Sequence, residues 1–223
     1  MQADPPYFFA DYGSTHLRAP REAPLAVPAA LLDVPGPLVP PGLVGTGDND
    51  LTTHGKSAPL GERMILAGRL LDADGRPVRR SLVEIWQTNA AGRYDHPGDT
   101  HDAPLDPNFR GIGRTLTDDE GRYRFVTIKP GAYPWRNHAY AWRPQHIHFS
   151  LLGNAPVQRL VTQMYFPGDP LLDLDPVFLS IPDPAARARL VATFEPRAGI
   201  EGLALGYRFD IVLAGARSTP LER

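Results

Sequence analysis

The sequence predicts an all-β fold: an antiparallel β-sandwich core with a Pro-rich N-terminal arm and one or two short helices. Three observations carry that prediction. The 223 residues include 25 prolines and 21 glycines, too much punctuation for a helical protein but suited to short strands joined by many turns. Several short runs alternate apolar and polar residues with period two. Turn dipeptides and polar clusters separate those runs at the spacing of a sandwich.

Residues 1–60 read as an extended arm packing on the core or on a partner. Ala19-Pro20, Val34-Pro35-Gly36-Pro37 and Val39-Pro40-Pro41-Gly42 leave room for at most a turn or two of helix near Leu31. Tyr7, Phe8, Phe9 and Tyr12 give the arm apolar surface to bury. Residues 61–223 read as the β-sandwich domain. MILAGRLL from Met64 is the first strand, and Asp74-Gly75 predicts a hairpin into SLVEIWQ. GIGRTLT and RYRFVTI predict a second hairpin through Asp118-Asp119-Glu120-Gly121, with Tyr123 and Phe125 on one face. Further strands are expected at 146–152, 158–166 and 207–213. In the last, Tyr207, Phe209, Ile211 and Leu213 point one way and Arg208 and Asp210 the other, as in a half-buried antiparallel strand. A helix is expected over 183–194, with Asp183 as N-cap and Pro184 in the first helical position.

Composition narrows the function. A formal net charge of −2 gives no electrostatic basis for binding nucleic acid or an anionic membrane, so a small substrate is expected. No segment approaches the roughly 20 apolar residues of a membrane helix, and the start lacks a secretory layout, which makes the cytoplasm the expected compartment. With no cysteine, any metal must be held by His, carboxylate or phenolate. There is no fixed-period repeat and no Gly-rich phosphate loop.

The sharpest local feature is Gln145-His146-Ile147-His148-Phe149, where the strand period puts both imidazoles on one face. Taken alone, such a pair is more often just a polar face than a metal site. The stretch GAYPWRNHAYAWRP before it contains no carboxylate, and its candidate donors are tyrosines. Tyr133 lies there beside Trp135, and Tyr94 follows the strand SLVEIWQ. Either tyrosine alone is more often a core or turn residue.

The runs LVEIWQTNAAGRYDH, APLDPNF, TIKPGAYPWRN, AWRPQHIHFS and QMYFPGDP, in that order and spacing, resemble the intradiol ring-cleaving dioxygenases, most closely the β-type chains of the protocatechuate-cleaving branch. The likeness extends over about 61–215 and more weakly into the arm. It implies one non-haem Fe(III) per chain, held by Tyr94, Tyr133, His146 and His148, and a homologous α subunit forming an αβ protomer within a higher oligomer. It further implies that an aromatic diol binds iron through both oxygens, displacing hydroxide and the Tyr133 phenolate, and that O2 attacks the ring, both oxygen atoms ending in a cis,cis-muconate.

The resemblance assigns Arg143 to the catalytic site and Gln163 to a hydrogen-bonding role beside it. Trp135, Val177 and, from the arm, Tyr12 match pocket positions. His16, His54, His96, His101 and His138 have no matched role. The chemistry is consistent with the donor types. A phenol with a solution pKa near ~10 binds a trivalent cation as phenolate, and two phenolates favour Fe(III), whereas two His and a carboxylate suit Fe(II). The competing expectations are a catechol or hydroxyquinol 1,2-dioxygenase, whose helical N-terminal region this chain lacks, and a non-catalytic β-sandwich binding module, which has no reason to keep this donor set.

Overall fold

A computed structural model of the chain describes residues 4–23, 25, 28, 40, 42–135, 142–152 and 159–222. Two sheets face one another across a common apolar core. In the first, β1 (Arg63–Leu71) pairs along one edge with β4 (Arg122–Ile128), antiparallel. Its other edge is shared by β10 (Leu205–Arg208) and then β11 (Ile211–Val212), and β9 (Thr193–Phe194) closes the sheet beside β10. The second sheet runs β3-β2-β7-β8, all antiparallel, from β3 (Ile112–Leu116), β2 (Leu82–Trp86), β7 (His146–Leu152) and β8 (Arg159–Tyr165). A separate two-residue ribbon joins β5 (Tyr133–Pro134) to β6 (Trp142–Arg143).

The core forms where period-two faces meet. Leu66 and Phe125 of the first sheet join Val83, Ile85, Ile147, Phe149 and Leu151 of the second in one buried cluster. Leu51, in a 3-10 turn at Leu51–Thr53, is fully buried in the same cluster, so the core also draws on residues before β1. Among the described residues no helix is long and apolar enough to cross a membrane.

Neither expected hairpin forms as a strand pair. Asp72 and Asp74-Gly75 do reverse the chain, with the Asp72 carboxylate accepting from the Asp74 and Arg76 backbone N–H groups. Leu71 and Pro77 then make a single antiparallel bridge. Proline has no N–H with which to extend a ladder, and the chain passes to the other sheet. Asp118 closes the second turn in the same way, but β3 and β4 enter different sheets. The turn residues specify a reversal; they do not specify which strand becomes the neighbour.

The last predicted strand keeps its alternation but is broken, and it runs parallel to β1. Arg69 N–H donates to the Asp210 carboxylate where a ladder carbonyl would stand. The break also needs Gly68, since a Cβ there would lie 1.8 Å from the Phe209 carbonyl oxygen. The helix expected over 183–194 spans only Pro184–Ala188, here α3. Its N-cap is as predicted, Asp183 accepting from the Ala185 N–H at 3.0 Å. It ends early because Leu190 and Ala192 are captured by Tyr165 at the edge of β8, through backbone bonds of 2.8 and 2.9 Å. Two other short helices were not foreseen: α1 (Thr15–Arg18) in the arm and α2 (Pro176–Leu179), N-capped by Asp175. The possible helix near Leu31 lies outside the described residues.

Candidate metal centre

The two histidines of β7 occupy the face of the second sheet that points away from the core, while Ile147 and Phe149 between and after them are fully buried within it. Cross-strand register assembles their neighbours: Trp86 and Gln163 flank His148, and Tyr165 lies opposite His146. Trp86 stacks flat on His148 with ring centroids 4.8 Å apart. Despite the outward direction, His146 is 2% and His148 8% exposed, because loops and the β5-β6 ribbon lie over them.

That ribbon places Tyr133 opposite Arg143 and brings the Tyr133 hydroxyl to 3.5 Å from His146 Nε2. Tyr94 arrives from the turn after β2, which Asn89 organises by accepting from the Ala91 and Arg93 N–H groups through its Oδ1. The turn is stitched to the Tyr133 segment by Gly131 N–H donating to the Asn89 carbonyl and by the Thr88 hydroxyl donating to that of Gly131. Gly92 permits the approach: its φ is +79° and a Cβ would stand 2.2 Å from the Ala132 carbonyl oxygen. Gly92→Ala should therefore cost about 1–3 kcal/mol of stability and push the two tyrosines apart. Urea unfolding checks the first effect, and an unchanged midpoint would disprove it.

Four rings thus converge. The Tyr94 and Tyr133 centroids are 5.4 Å apart, His146 and His148 4.8 Å, and Tyr94 and His148 6.5 Å. Each imidazole has Nδ1 committed: that of His146 to the Pro144 carbonyl at 2.7 Å, that of His148 to the Glu222 carboxylate at 3.1 Å. Both partners are acceptors, which assigns the proton to Nδ1 and leaves each Nε2 as an acceptor, that of His146 facing the Tyr133 hydroxyl. The buried Tyr94 hydroxyl has no hydrogen-bond partner among the described residues. An orphaned phenol beside two imidazole lone pairs fits a metal centre completed by phenolates. Among the described residues no group of three or more His, Cys, Asp or Glu side chains is placed to hold a metal, so the carboxylate-rich alternative is not built here.

Burial, and then the neighbouring Tyr133, pushes the Tyr94 phenol well above its ordinary pKa. Burial likewise raises Tyr133, against the opposing effect of Arg143. Burial, followed by the charge of Arg143 and by His148, holds His146 far below the usual imidazole range. In the metal-free protein both phenols are protonated and His146 is neutral.

Arg143 is buried behind this group at 3% exposure. Its Nε is 2.9 Å from Asp175 Oδ1, and its Nη2 donates to Gln163 Oε1 at 2.5 Å, to Asp175 Oδ2 at 3.1 Å and to the Tyr165 hydroxyl at 3.2 Å. The guanidinium carbon lies 5.2 Å from the centre of the Trp135 ring. A cleft of about 910 Å³ opens over Tyr94, Tyr133, His148, Trp86 and Trp135, with Asp95, Asp99, Asp102, His96, His101 and Arg110 among its other walls.

The residues singled out from sequence fall into three positions. Tyr94, Tyr133, His148 and Trp135 face the cleft, with His146, Arg143 and Gln163 directly behind. Tyr12 of the arm is buried edge-on against Trp135, at 5.3 Å, and under Arg18. Val177 stands apart from the cleft, lining a small gap with Gln163, Tyr165 and Glu222. Of the unassigned histidines, His96 and His101 line the cleft, and His138 lies outside the described residues.

Four residues of the centre were not singled out. Tyr165 shares a strand face with Gln163 two residues before it, and the period-two rule would have found it. Trp86 comes opposite His148 only through strand pairing, which no period along the sequence shows. Asp175 carries an N-cap signal before Pro176. Glu222 carries no local signal.

Residues 34–215 match the family model described as "Dioxygenase", and residues 3–30 match "Protocatechuate 3,4-dioxygenase beta subunit N terminal". The chain is 56% identical to the protocatechuate 3,4-dioxygenase beta chain of Burkholderia cepacia, over 98% of this chain and 94% of that one. It is 33% identical to the protocatechuate 3,4-dioxygenase alpha chain of Pseudomonas putida, over 71% of this chain and 75% of that one. Its fold is similar to that of 3-chlorocatechol 1,2-dioxygenase from Rhodococcus opacus 1CP, with a TM-score of 0.58 at 24% identity, covering 82% of this chain and 72% of that one.

Proposed function

Because this chain belongs to the intradiol ring-cleaving dioxygenases, we propose that it opens the ring of protocatechuate (3,4-dihydroxybenzoate) with O2, giving 3-carboxy-cis,cis-muconate. The observation that carries the reading is the donor set, in which two phenols converge with two imidazoles whose Nδ1 atoms are each committed to an acceptor, leaving Nε2 as the nitrogen on offer. Tyr94, Tyr133, His146 and His148 would hold one Fe(III). Bound there, ferric iron supplies the charge that draws both catechol hydroxyls into the anionic form and activates the ring toward O2. Two phenolates, as hard anionic oxygen donors, favour the ferric state. Since burial keeps both phenols protonated without metal, each must release its proton on loading, so iron affinity rises with pH.

The chain's own groups do the rest. Trp86 and Trp135 give the cleft aromatic walls for a flat ring. Arg143 supplies a fixed positive charge toward the reacting ring, and Gln163 holds it through the 2.5 Å hydrogen bond. Tyr12 backs Trp135, and Val177 packs behind Gln163 and Tyr165.

The similarity to both an alpha and a beta chain supports a homologous α subunit as partner in an αβ protomer and a higher oligomer. The arm, where Tyr7 and Phe8 are 43% and 52% exposed, offers that partner apolar surface. Oxygen uptake compared across protocatechuate, catechol and hydroxyquinol, with iron content and the visible spectrum, tests the reading. Protocatechuate should be preferred and the protein red-brown from tyrosinate-to-iron charge transfer. Tyr94→Phe and His148→Ala should lose iron or change that band. Full iron occupancy with an unaltered band in both variants would remove the ligand assignment.

A further inference from the structure

The two imidazoles are oriented by different means. His146 donates Nδ1–H to a carbonyl only two residues away, a bond that its own strand entry supplies. His148 relies on Glu222, 74 residues further along the chain. The segment that delivers this carboxylate is tied to both sheets. Thr219 exchanges bonds with Val212 of β11, its N–H donating to the Val212 carbonyl at 2.8 Å and its hydroxyl accepting from the Val212 N–H at 3.0 Å. The Thr162 hydroxyl donates to the Pro220 carbonyl and Glu222 N–H donates to the Val161 carbonyl, both at 2.7 Å and both on β8. Leu221 N–H donates to Asp4 of the arm at 3.2 Å. A chain anchored at each successive residue delivers one side chain to one place.

We propose that Glu222 is a positioning residue for the metal centre, its carboxylate holding the proton of His148 on Nδ1 so that Nε2 remains the donor. The inference rests on the reading of His148 as a ligand. Trp86, stacked parallel to the imidazole, restrains the tilt of the ring but offers no acceptor in its plane, so it cannot choose between the two nitrogens. A carboxylate on the far nitrogen fixes the tautomer and ring rotation and also raises the basicity of Nε2.

The test compares the purified parent with Glu222→Gln and Glu222→Ala, each loaded with ferric iron. It follows retention against a competing chelator, the position of the visible tyrosinate band, and the melting temperature of the metal-free protein. Glu222→Ala should hold iron about 10–100-fold more weakly with a displaced band. Glu222→Gln should fall between, because its amide oxygen still accepts from Nδ1–H but carries no charge. Metal-free melting temperatures should agree across the three. Retention and band equal to the parent in both variants would overturn the role of Glu222, as would a loss of metal-free stability large enough to account for the iron loss. A parent that binds no iron and shows no band would overturn the ligand reading itself, and this inference with it.

Discussion

Arg143→Ala is expected to slow the reaction of bound catechol with oxygen by about 10²–10³-fold while leaving the iron in place. The physical ground is preorganisation. Asp175, Gln163 and Tyr165 fix the guanidinium before any substrate arrives, so it costs no reorganisation when negative charge builds on the ring. It lies 5.2 Å from the centre of the Trp135 ring, which walls the cleft, and none of the four proposed iron ligands is removed with it. Arg143→Lys should recover little, since an ammonium cannot make the planar set of contacts that a guanidinium makes with Asp175, Gln163 and Tyr165 together. Single-turnover mixing of the anaerobic enzyme–substrate complex with oxygen gives the rate. Parental oxygen reactivity in the alanine variant, or loss of its iron, would show that Arg143 does not act in this way.

The second large effect is on stability. Asp175 is fully buried and is the carboxylate paired with Arg143. Asp175→Ala should destabilise the protein by about 3–5 kcal/mol, because it leaves a guanidinium buried without its counter-charge. The same side chain caps α2, Oδ1 accepting from the Val177 N–H at 3.3 Å, and loss of a cap costs roughly 1 kcal/mol. Asp175→Asn keeps an oxygen for the cap and so separates the two contributions. Combining Asp175→Ala with Arg143→Ala should be less destabilising than the sum of the single changes, because neither charge is then stranded. The rate defect of Arg143→Ala should persist in the double variant. Urea unfolding of the four proteins measures this, and strict additivity would mean that the pair is not energetically coupled.

Local chemistry was legible in the sequence to the extent that it is local. The span of β7, the outward histidines with Ile147 and Phe149 turned into the core, and the Asp183-Pro184 helix start all depend on residues within a few positions of one another. Asp74-Gly75 and Asp118 to Gly121 were equally legible as turns. Which sheet each following strand would join was not, since that is decided by partners such as Ile211 and Val212 beside Leu70 and Leu71. The same division runs through the site. The residues that converge at the site could be named from motifs, but the groups that hold two of them, Asp175 on Arg143 and Glu222 on His148, act across 32 and 74 residues and leave no periodic trace. Helix α3 shows a local signal being overruled: Leu190 and Ala192, which could continue the helix, instead pair with Tyr165.

Adjacent residues of β7 answer to different demands. Ile147, Phe149 and Leu151 are fully buried in the core, and substitutions there should be felt as unfolding. His146 and His148 lie on the opposite face, outside the cluster shared by the two sheets, and the ribbon, the Tyr94 turn and the arm that cover this face are the parts nearest the cleft. Connecting segments on a rigid scaffold tolerate change better than the scaffold does. A lineage could therefore remodel the mouth of the cleft, and with it the range of rings admitted, one loop at a time, while the paired sheets beneath go on folding as before.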